Sequence, residues 1–532
     1  MNRISLLDCT LRDGGYINDW NFGHDELICL YERIVSSSVD IIEVGFLDDR
    51  RTFDINRSIM PDTDSVERIY GRVDRRKAMI VGMIDYGTCS LSHISKCEDS
   101  YLDGIRVIFK KHMMQEAVAF CGELKKLGYQ VFVQAVSITS YSDEELRKLI
   151  SLVNEVEPYA VSLVDTYGLL HQDSLLHYFN IMDNKVKPGI GIGYHSHNNF
   201  QLGFANCIDM LETKSDRHLI VDATLYGMGK SAGNTPIELL AMHLNNRFGK
   251  NYDISQLLEA IDGNIMKIYK KHPWGYNLFY YLAASNNCHP NYVKALMDKH
   301  TLSMKSINNI LANICNEKKL LFDANYIEGL YVEYQSCECD DSEDLNNLSH
   351  NLSGKKILLL GPGQTIQSEE TIIREFIDNN NPVVISTNFI PGAFHVEYVF
   401  VSNSRRYIHI LNDLKEYKNR ETKVIATSNV TEAQGAFDFV LNNAALLDLE
   451  GSVTDHSFVM LLRALLRVGV ADVSCAGFDG YSEDDENYYK PDMEYWFSRR
   501  KAKEFNKYVI DELSSMKDRL KVTFITTTKY MY

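Results

Sequence analysis

The chain has 532 residues, of which 45% are hydrophobic and 24% charged, and its formal net charge is −17. At about 150 residues per domain there is room for roughly two to four globular domains, and the acidity argues against nucleic-acid binding or an anionic membrane surface, both of which need clustered Lys and Arg. No apolar run reaches the roughly 18 residues of a membrane span, and MNRISLLDCTLRDGG has no signal-peptide core, so a cytoplasmic protein is expected.

Short segments rich in Val and Ile recur through the first 225 residues: ISLLD (4–8), DIIEVGF (40–46), AMIVGMI (78–84), GIRVIF (104–109), QVFVQAV (130–136), YAVSLVD (159–165), GIGIGYH (189–195) and LIVDATL (219–225). Several are apolar almost throughout, as strands buried on both faces must be. Between them lie helical patterns such as DELICLYERIVSSS (25–38) and SDEELRKLISLVNEV (142–156). The second opens on Ser142 with Glu145 three residues on, a capping box. Eight strands alternating with helices predict a (β/α)8 TIM barrel over residues 1–254, with an open doubly wound sheet as the alternative.

Residues 255–336 read as a helical extension, and the acidic stretch in 337–353, CECDDSEDLNN, as a solvated linker. The close pair Cys337 and Cys339 lacks a second pair to complete a zinc site. The eleven cysteines follow no framework spacing, so free thiols are expected. At KKILLLGPGQTI (355–366) a new α/β unit begins. Its further strand candidates are PVVIST (382–387), VEYVFVS (396–402), KVIATS (423–428), FDFVLN (437–442) and ADVSCAGFD (471–479), with a helix at DHSFVMLLRALLRVG (455–469). Residues 354–532 therefore read as a second, doubly wound, Rossmann-like domain.

In a TIM barrel the chemistry gathers at the C-terminal ends of the strands, so polar residues there are the candidates. The first strand is followed by Thr10, Arg12 and Asp13. The second contains Glu43, and the sixth ends at Asp165 and Thr166. The seventh delivers His195 and His197, and after the eighth comes the Gly-rich loop from Gly227 to Asn234. The period-two spacing of His195 and His197 puts both imidazoles on one side of an extended segment. With Asp13 they offer two nitrogens and one oxygen to a divalent ion, leaving positions open for substrate oxygens. Such an ion is a Lewis acid for a 2-oxo acid and stabilises the enolate of carbon–carbon cleavage. Arg12 can hydrogen-bond the developing enolate oxygen. The competing reading of a lone His-x-His is an incidental structural pair.

Taken together, LLDCTLRDGG, HSHNN and GMGKSAGN resemble the metal-dependent barrel enzymes called DRE-TIM metallolyases. That family includes 4-hydroxy-2-oxovalerate aldolase, hydroxymethylglutaryl-CoA lyase, and the isopropylmalate and citramalate synthases. The resemblance spans roughly residues 1–300. It implies that Asp13, His195 and His197 bind Mn2+ or Mg2+, with Zn2+ or Co2+ as alternatives. It further implies that Arg12 stabilises the enolate, that Asn234 is a further ligand or supports the ligands, and that Thr166 contacts the substrate carboxylate. Barrels of this family are commonly dimers or larger, which implies a homo-oligomer.

Three departures shape the expectation. The lyase branch places a catalytic Cys in the loop after the eighth strand, where this chain has Met228, Lys230 and Ser231. The synthase branch has Glu-Gln after Arg-Asp-Gly, where this chain has Gly15-Tyr16. The 4-hydroxy-2-oxovalerate aldolase branch matches the loop best, but its acid–base His falls at Tyr16. A Tyr can donate or accept a proton, although its ordinary pKa of about 10 is high for a base. His24 and Asp19 are the alternatives. The segment HPWGYNLFYYLAASNNCHPNYV (272–293) either closes over the site, with Tyr276 and His289 as candidates, or packs against the barrel or a partner subunit.

In the second domain Gly361-Pro362-Gly363 follows a strand and precedes a helix, an arrangement that can seat a phosphate. The full dinucleotide fingerprint and the P-loop Lys are both missing. The stretch GVADVSCAGFDGYS (469–482), with Asp479, resembles Rossmann-like, sialyltransferase-type domains of surface-polysaccharide enzymes, and implies a nucleotide-sugar near Gly361, Gly363 and Asp479. A purely structural domain is the alternative. The function expected is a metal-dependent aldolase joining or splitting a 2-oxo acid, such as pyruvate, and an aldehyde; a sugar aldehyde would fit polysaccharide biosynthesis. The rivals are an acyl-CoA lyase or synthase on the same barrel, and a non-catalytic, nucleotide-binding scaffold.

Overall fold

The computed structural model describes residues 3–299, 302–319, 321–336, 339–417, 422–430, 437–449, 451–495 and 497–530. Cys337 lies outside them. The chain divides into two compact units, Met1–Asn287 and Cys288–Tyr532.

The first unit is built on nine parallel strands: β1 (Ile4–Asp8), β2 (Ile41–Leu47), β3 (Ile59–Met60), β4 (Met79–Asp85), β5 (Gly104–Phe109), β6 (Gln130–Ala135), β7 (Ala160–Asp165), β8 (Gly191–Ser196) and β9 (Leu219–Ala223). Their order is β1-β9-β8-β7-β6-β5-β4-β2-β3, and β1 also pairs with β2. That pairing, Leu7 opposite Ile41 and Asp8 opposite Ile42, closes eight strands into a TIM barrel and excludes the open sheet. All eight predicted strands are present. Their apolar continuity follows from burial on both faces, inside the barrel and under the helices. Helix Asp143–Val156 begins at the predicted capping box: Glu145 N–H donates to Ser142 Oγ at 3.2 Å, and Ser142 N–H to Glu145 Oε2 at 2.8 Å.

The short strand β3 was not legible in the sequence. It pairs with β2 next to a register shift between Glu43 and Phe46. Gly45 sits in that bulge at φ +149°, and a Cβ there would lie 1.9 Å from the Ser58 carbonyl oxygen. Only glycine admits the approach, which lets Phe46 N–H donate to Ser58 O at 3.0 Å.

The second unit carries seven parallel strands: β10 (Ile357–Leu360), β11 (Val383–Thr387), β12 (Tyr398–Val401), β13 (Lys423–Thr427), β14 (Phe439–Leu441), β15 (Asp472–Ala476) and β16 (Lys521–Phe524). Their order is β14-β13-β12-β11-β10-β15-β16. The order turns back between β10 and β15, the switch point of a doubly wound sheet. β16 escapes sequence reading because only Val522 in KVTF is buried, too short an apolar run to stand out.

The region expected to be one helical extension, 255–336, divides at Asn287, its later helices Pro290–Met297, Met304–Ala312 and Ala324–Gln335 lying in the second unit. The stretch expected as a linker is helical from Ser342 to Leu352. Two of its acidic residues are anchors: Asp341 takes both Nη atoms of Arg467 at 2.6 and 2.8 Å, and Asp344 accepts from Val440 N–H at 2.8 Å. Leu348 and Leu352 fill the core against β10, β14 and helix Ser457–Arg467. Leu352→Ala is expected to lower the stability of this unit by about 2–5 kcal/mol, read as an earlier transition in denaturant unfolding of the full chain. A solvated linker would lose nothing.

Candidate active site

The site is assembled by the chain leaving β1. The Asp8 carboxylate accepts from Thr10 N–H at 3.0 Å and Thr10 Oγ–H at 2.8 Å, turning the chain into the short helix Thr10–Asp13. Thr10 Oγ1 in turn accepts from Leu225 N–H at 2.8 Å, tying this turn to the loop after β9. Burial pushes the Asp8 carboxyl up to about 7. Arg12 and Asp13 are thus held at the barrel mouth. From β8 come His195 and, just beyond it, His197, their rings 5.1 Å apart and nearly perpendicular. Asp13, His195 and His197 each offer an atom to a common point, all within 4.8 Å of one another. Asn234 pairs with His197 through a backbone bridge and donates its side-chain amide to Asp13 Oδ2.

Beneath these groups runs a continuous line of buried charge. Arg12 donates Nη1–H to Asp13 at 2.6 Å and Nε–H to Glu43 at 2.7 Å. Arg106 of β5 lies 3.2 Å from the same Glu43 oxygen and bonds Asp222 of β9. Asp222 sits 3.0 Å from His195 Nδ1. Arg106 also reaches Gln134, whose amide donates to Ser162 Oγ at 3.1 Å. Two arginines face three carboxylates, leaving one negative charge within the line.

Burial works to raise the Asp13 carboxyl, but Arg12, the two histidines and the Asn234 amide outweigh it and hold the group well below the usual carboxylate range. Burial drives the His197 imidazole down to about 3, so it is neutral with a lone pair to give. Asp222 is pressed upward by burial and held below its ordinary value by Arg106 and His195. With His195 Nδ1–H donating to Asp222, its Nε2 carries the free lone pair.

These residues fit a divalent cation. The donors are imidazole nitrogens and an ionised carboxylate, and the carboxylates of the line outnumber its arginines. Asn234 Oδ1 and His197 Nδ1 are buried without a partner among the described residues. A Cβ on Gly229 would fall 2.1 Å from Asn234 Nδ2 and 2.5 Å from Asp13 Oδ2, so the chain keeps open a space that any side chain would fill. Cys9, His195 and Asp222 form a second group of potential ligands. Burial drives the Cys9 thiol well up and Asp222 is spent on Arg106 and His195, so this set lacks a thiolate.

The other expected residues are placed as follows. Glu43 is fully buried, hydrogen-bonded by Arg12 and 3.2 Å from Arg106. Tyr16 stands at the rim, edge-on to Trp20 at 4.8 Å and Phe46 at 6.1 Å, with Lys230 Nζ 5.4 Å from its ring centre. Desolvation of its hydroxyl, with Asp13, Asp85 and Glu43 nearby, pushes the phenol up to about 12 although Arg12 opposes this and the ring is partly exposed. Thr166 Oγ1 accepts from Ser137 N–H at 2.8 Å. Asp165 receives Leu169 and Leu170 N–H and is raised by burial to about 6. His24 opens helix His24–Ser36 and hydrogen-bonds none of these groups among the described residues. Asp19 pairs with Arg57. Of the lid candidates, Tyr276 is exposed and His289 caps helix Pro290–Met297; two residues before Tyr276, Trp274 packs down, donating Nε1–H to the Tyr226 carbonyl at 2.9 Å.

Sequence reasoning missed Arg106 and Asp222. Each is a charged residue inside an otherwise apolar strand, GIRVIF and LIVDA, and that anomaly was the available signal.

In the second unit Gly361 and Gly363 spend their N–H groups on Ala476 and Gly477 carbonyls, each at 2.8 Å, and the Asp479 carboxylate accepts from Thr365 N–H at 2.9 Å. The glycines serve close approach of β10 to β15: a Cβ on Gly361 would lie 2.5 Å from Gly477 O.

Residues 3–262 match the HMGL-like family. The N-terminal domain is an HMGL-like domain. Along this domain the chain is 26% identical over 265 residues to a 4-hydroxy-2-oxovalerate aldolase of Chloroflexus aurantiacus, covering 48% of this chain and 74% of that protein. It is 24% identical to an oxaloacetate decarboxylase of Mycobacterium tuberculosis, over 46% of this chain and 70% of that protein. Among solved structures, the HMG-CoA lyase of Brucella melitensis is 14% identical at a TM-score of 0.40, over 49% of this chain and 96% of that one. The HMGL-like family includes metal-dependent lyases and aldolases that act on 2-oxo acids.

Removing Arg106 from the HMGL-like domain leaves two buried carboxylates facing each other across the barrel. Arg106→Met is expected to cost about 3–5 kcal/mol, measured as a fall in the denaturant midpoint of the barrel transition.

Proposed function

We propose that the HMGL-like domain is a divalent-metal-dependent aldolase that makes or breaks the carbon–carbon bond between a 2-oxo acid such as pyruvate and an aldehyde. The observation that carries this reading is the convergence of Asp13, His195 and His197 beside a fixed, buried Arg12. Asp13, His195 and His197, with Asn234 alongside, would hold the cation, which when bound supplies Lewis-acid polarisation of the oxo acid's carbonyl.

The chain's own groups account for the rest. Arg12 commits Nε to Glu43 and Nη1 to Asp13, which leaves Nη2 to donate to the oxygen that gains charge as the bond breaks. Glu43 and Arg106 act on substrate only through Arg12 and Asp222, as positioning residues. Tyr16 is a protonated phenol at neutral pH, suited to donate its proton to the aldehyde oxygen during condensation and to hydrogen-bond the resulting alcohol. Thr166 has its Oγ lone pair engaged by Ser137 N–H, and its hydroxyl proton is left for the substrate carboxylate. A sugar aldehyde, and with it a place in polysaccharide biosynthesis, is the narrower form of this reading. The curated 4-hydroxy-2-oxovalerate aldolases support the aldolase form over an acyl-CoA enzyme.

The purified full chain with Mn2+ is expected to release pyruvate from 4-hydroxy-2-oxo acids and to hold metal in elemental analysis. Chelation should abolish turnover and added Mn2+ or Mg2+ restore it. Gly229→Ala should leave the fold intact but lose the metal. Absence of both pyruvate release and bound metal would sink the proposal. Tyr16→Phe is expected to lower kcat by about 100- to 10,000-fold while leaving bound metal unchanged, which separates proton donation from metal support.

A further inference from the structure

In the second unit a cleft of about 610 Å³ opens where the sheet order turns back, at the carboxyl ends of β10, β11, β12 and β15. In open α/β sheets this crevice is where ligands bind. The glycine loop after β10 cannot be the anion seat, because its amides are spent on β15 and Asp479 already caps Thr365.

Arg406 is the group that lacks a counterpart. It lines the cleft from the first turn of helix Ser404–Tyr417 and is only 7% exposed. One Nη donates to the Met493 carbonyl, and the guanidinium lies 4.5 Å from the Tyr495 ring centre and 5.6 Å from that of Tyr488. It forms no ion pair with a carboxylate among the described residues. The two arginines of comparable burial in the barrel, Arg12 and Arg106, each face two carboxylates. A buried guanidinium without an anion carries a desolvation cost that a ligand anion would offset. Two further cleft-lining polar atoms, Thr387 Oγ1 and His456 Nδ1, are also buried and without a partner among the described residues. Burial drives the His456 imidazole down to about 4, so it presents a neutral ring.

We propose that this cleft binds a nucleoside phosphate, with the phosphate on Arg406 and the nucleoside between the tyrosines and the hydroxyl- and amide-bearing ends of β11 and β12. Planar guanidinium is the group best matched to phosphate, and the tyrosines around it give the cleft an aromatic wall against which a nucleoside can pack. The volume far exceeds what a lone inorganic anion or pyruvate fills and lies in the range of sites for whole small-molecule ligands. This site is independent of the barrel chemistry.

The test is calorimetric titration of the full chain with the four ribonucleoside mono- and diphosphates, with inorganic phosphate and pyruvate as separate arms. At least one nucleotide is expected to bind in the micromolar range, and Arg406→Met to weaken it by about tenfold or more. His195→Ala should bind the nucleotide as the unaltered chain does, so loss of aldolase activity and loss of this site are told apart. In the absence of nucleotide, Arg406→Met should keep or raise the melting temperature, since it removes an unpaired buried charge. A purely structural arginine would lower it. The proposal is overturned if no nucleotide binds at millimolar concentration, if only phosphate or pyruvate binds, or if Arg406→Met and Thr387→Val bind nucleotide unchanged.

Discussion

Arg106 is the charge on which the first domain's site is hung. It lies inside the barrel, bonded to Asp222 on one side and close to Glu43 on the other, and each carboxylate passes the constraint onward. Glu43 fixes Arg12, and Arg12 fixes Asp13. Asp222 fixes the tautomer and orientation of His195. Ionised groups this deep persist only when paired, so the line is rigid by necessity. It also sets the electrostatics of the mouth, because the carboxylates of the line outnumber its arginines by one.

Much of this was legible beforehand for a definite physical reason. Parallel strands covered on both faces are apolar throughout, so the eight barrel strands stood out, and the Ser142–Glu145 spacing marked a helix start to the residue. Asp13, His195 and His197 could be proposed together because strand ends of a barrel share one rim. The interior line was not legible, because pairing of Arg106 with Asp222 is a property of closure between strands far apart in sequence. The acidic segment 341–352 misled for a related reason. Composition reports charge, while the partners that turn Asp341 and Asp344 into anchors, Arg467 and the Val440 amide, lie about a hundred residues downstream.

The second domain shows the same asymmetry between motif and context. Gly-Pro-Gly after a strand suggests a phosphate loop, but what the glycines permit here is the approach of β15. Arg406 drew no notice in the sequence, since an Arg-Arg pair at a helix start is ordinary. Its meaning lies in burial without a carboxylate, which only three dimensions reveal.

Gly45 bears on the site from an unexpected direction. By admitting the Ser58 carbonyl it bends β2 and re-aims Phe46, which supports the edge of Tyr16 and of Trp20 and lies under the Arg12 guanidinium. The Trp20 and Ser58 backbones are joined as well, by Ser58 N–H donating to Trp20 O at 3.0 Å. The stance of the phenol is therefore inherited from a missing β-carbon on another strand. Altering that bulge alone would change the reach of the Tyr16 hydroxyl, with every other side chain at the mouth left as it was.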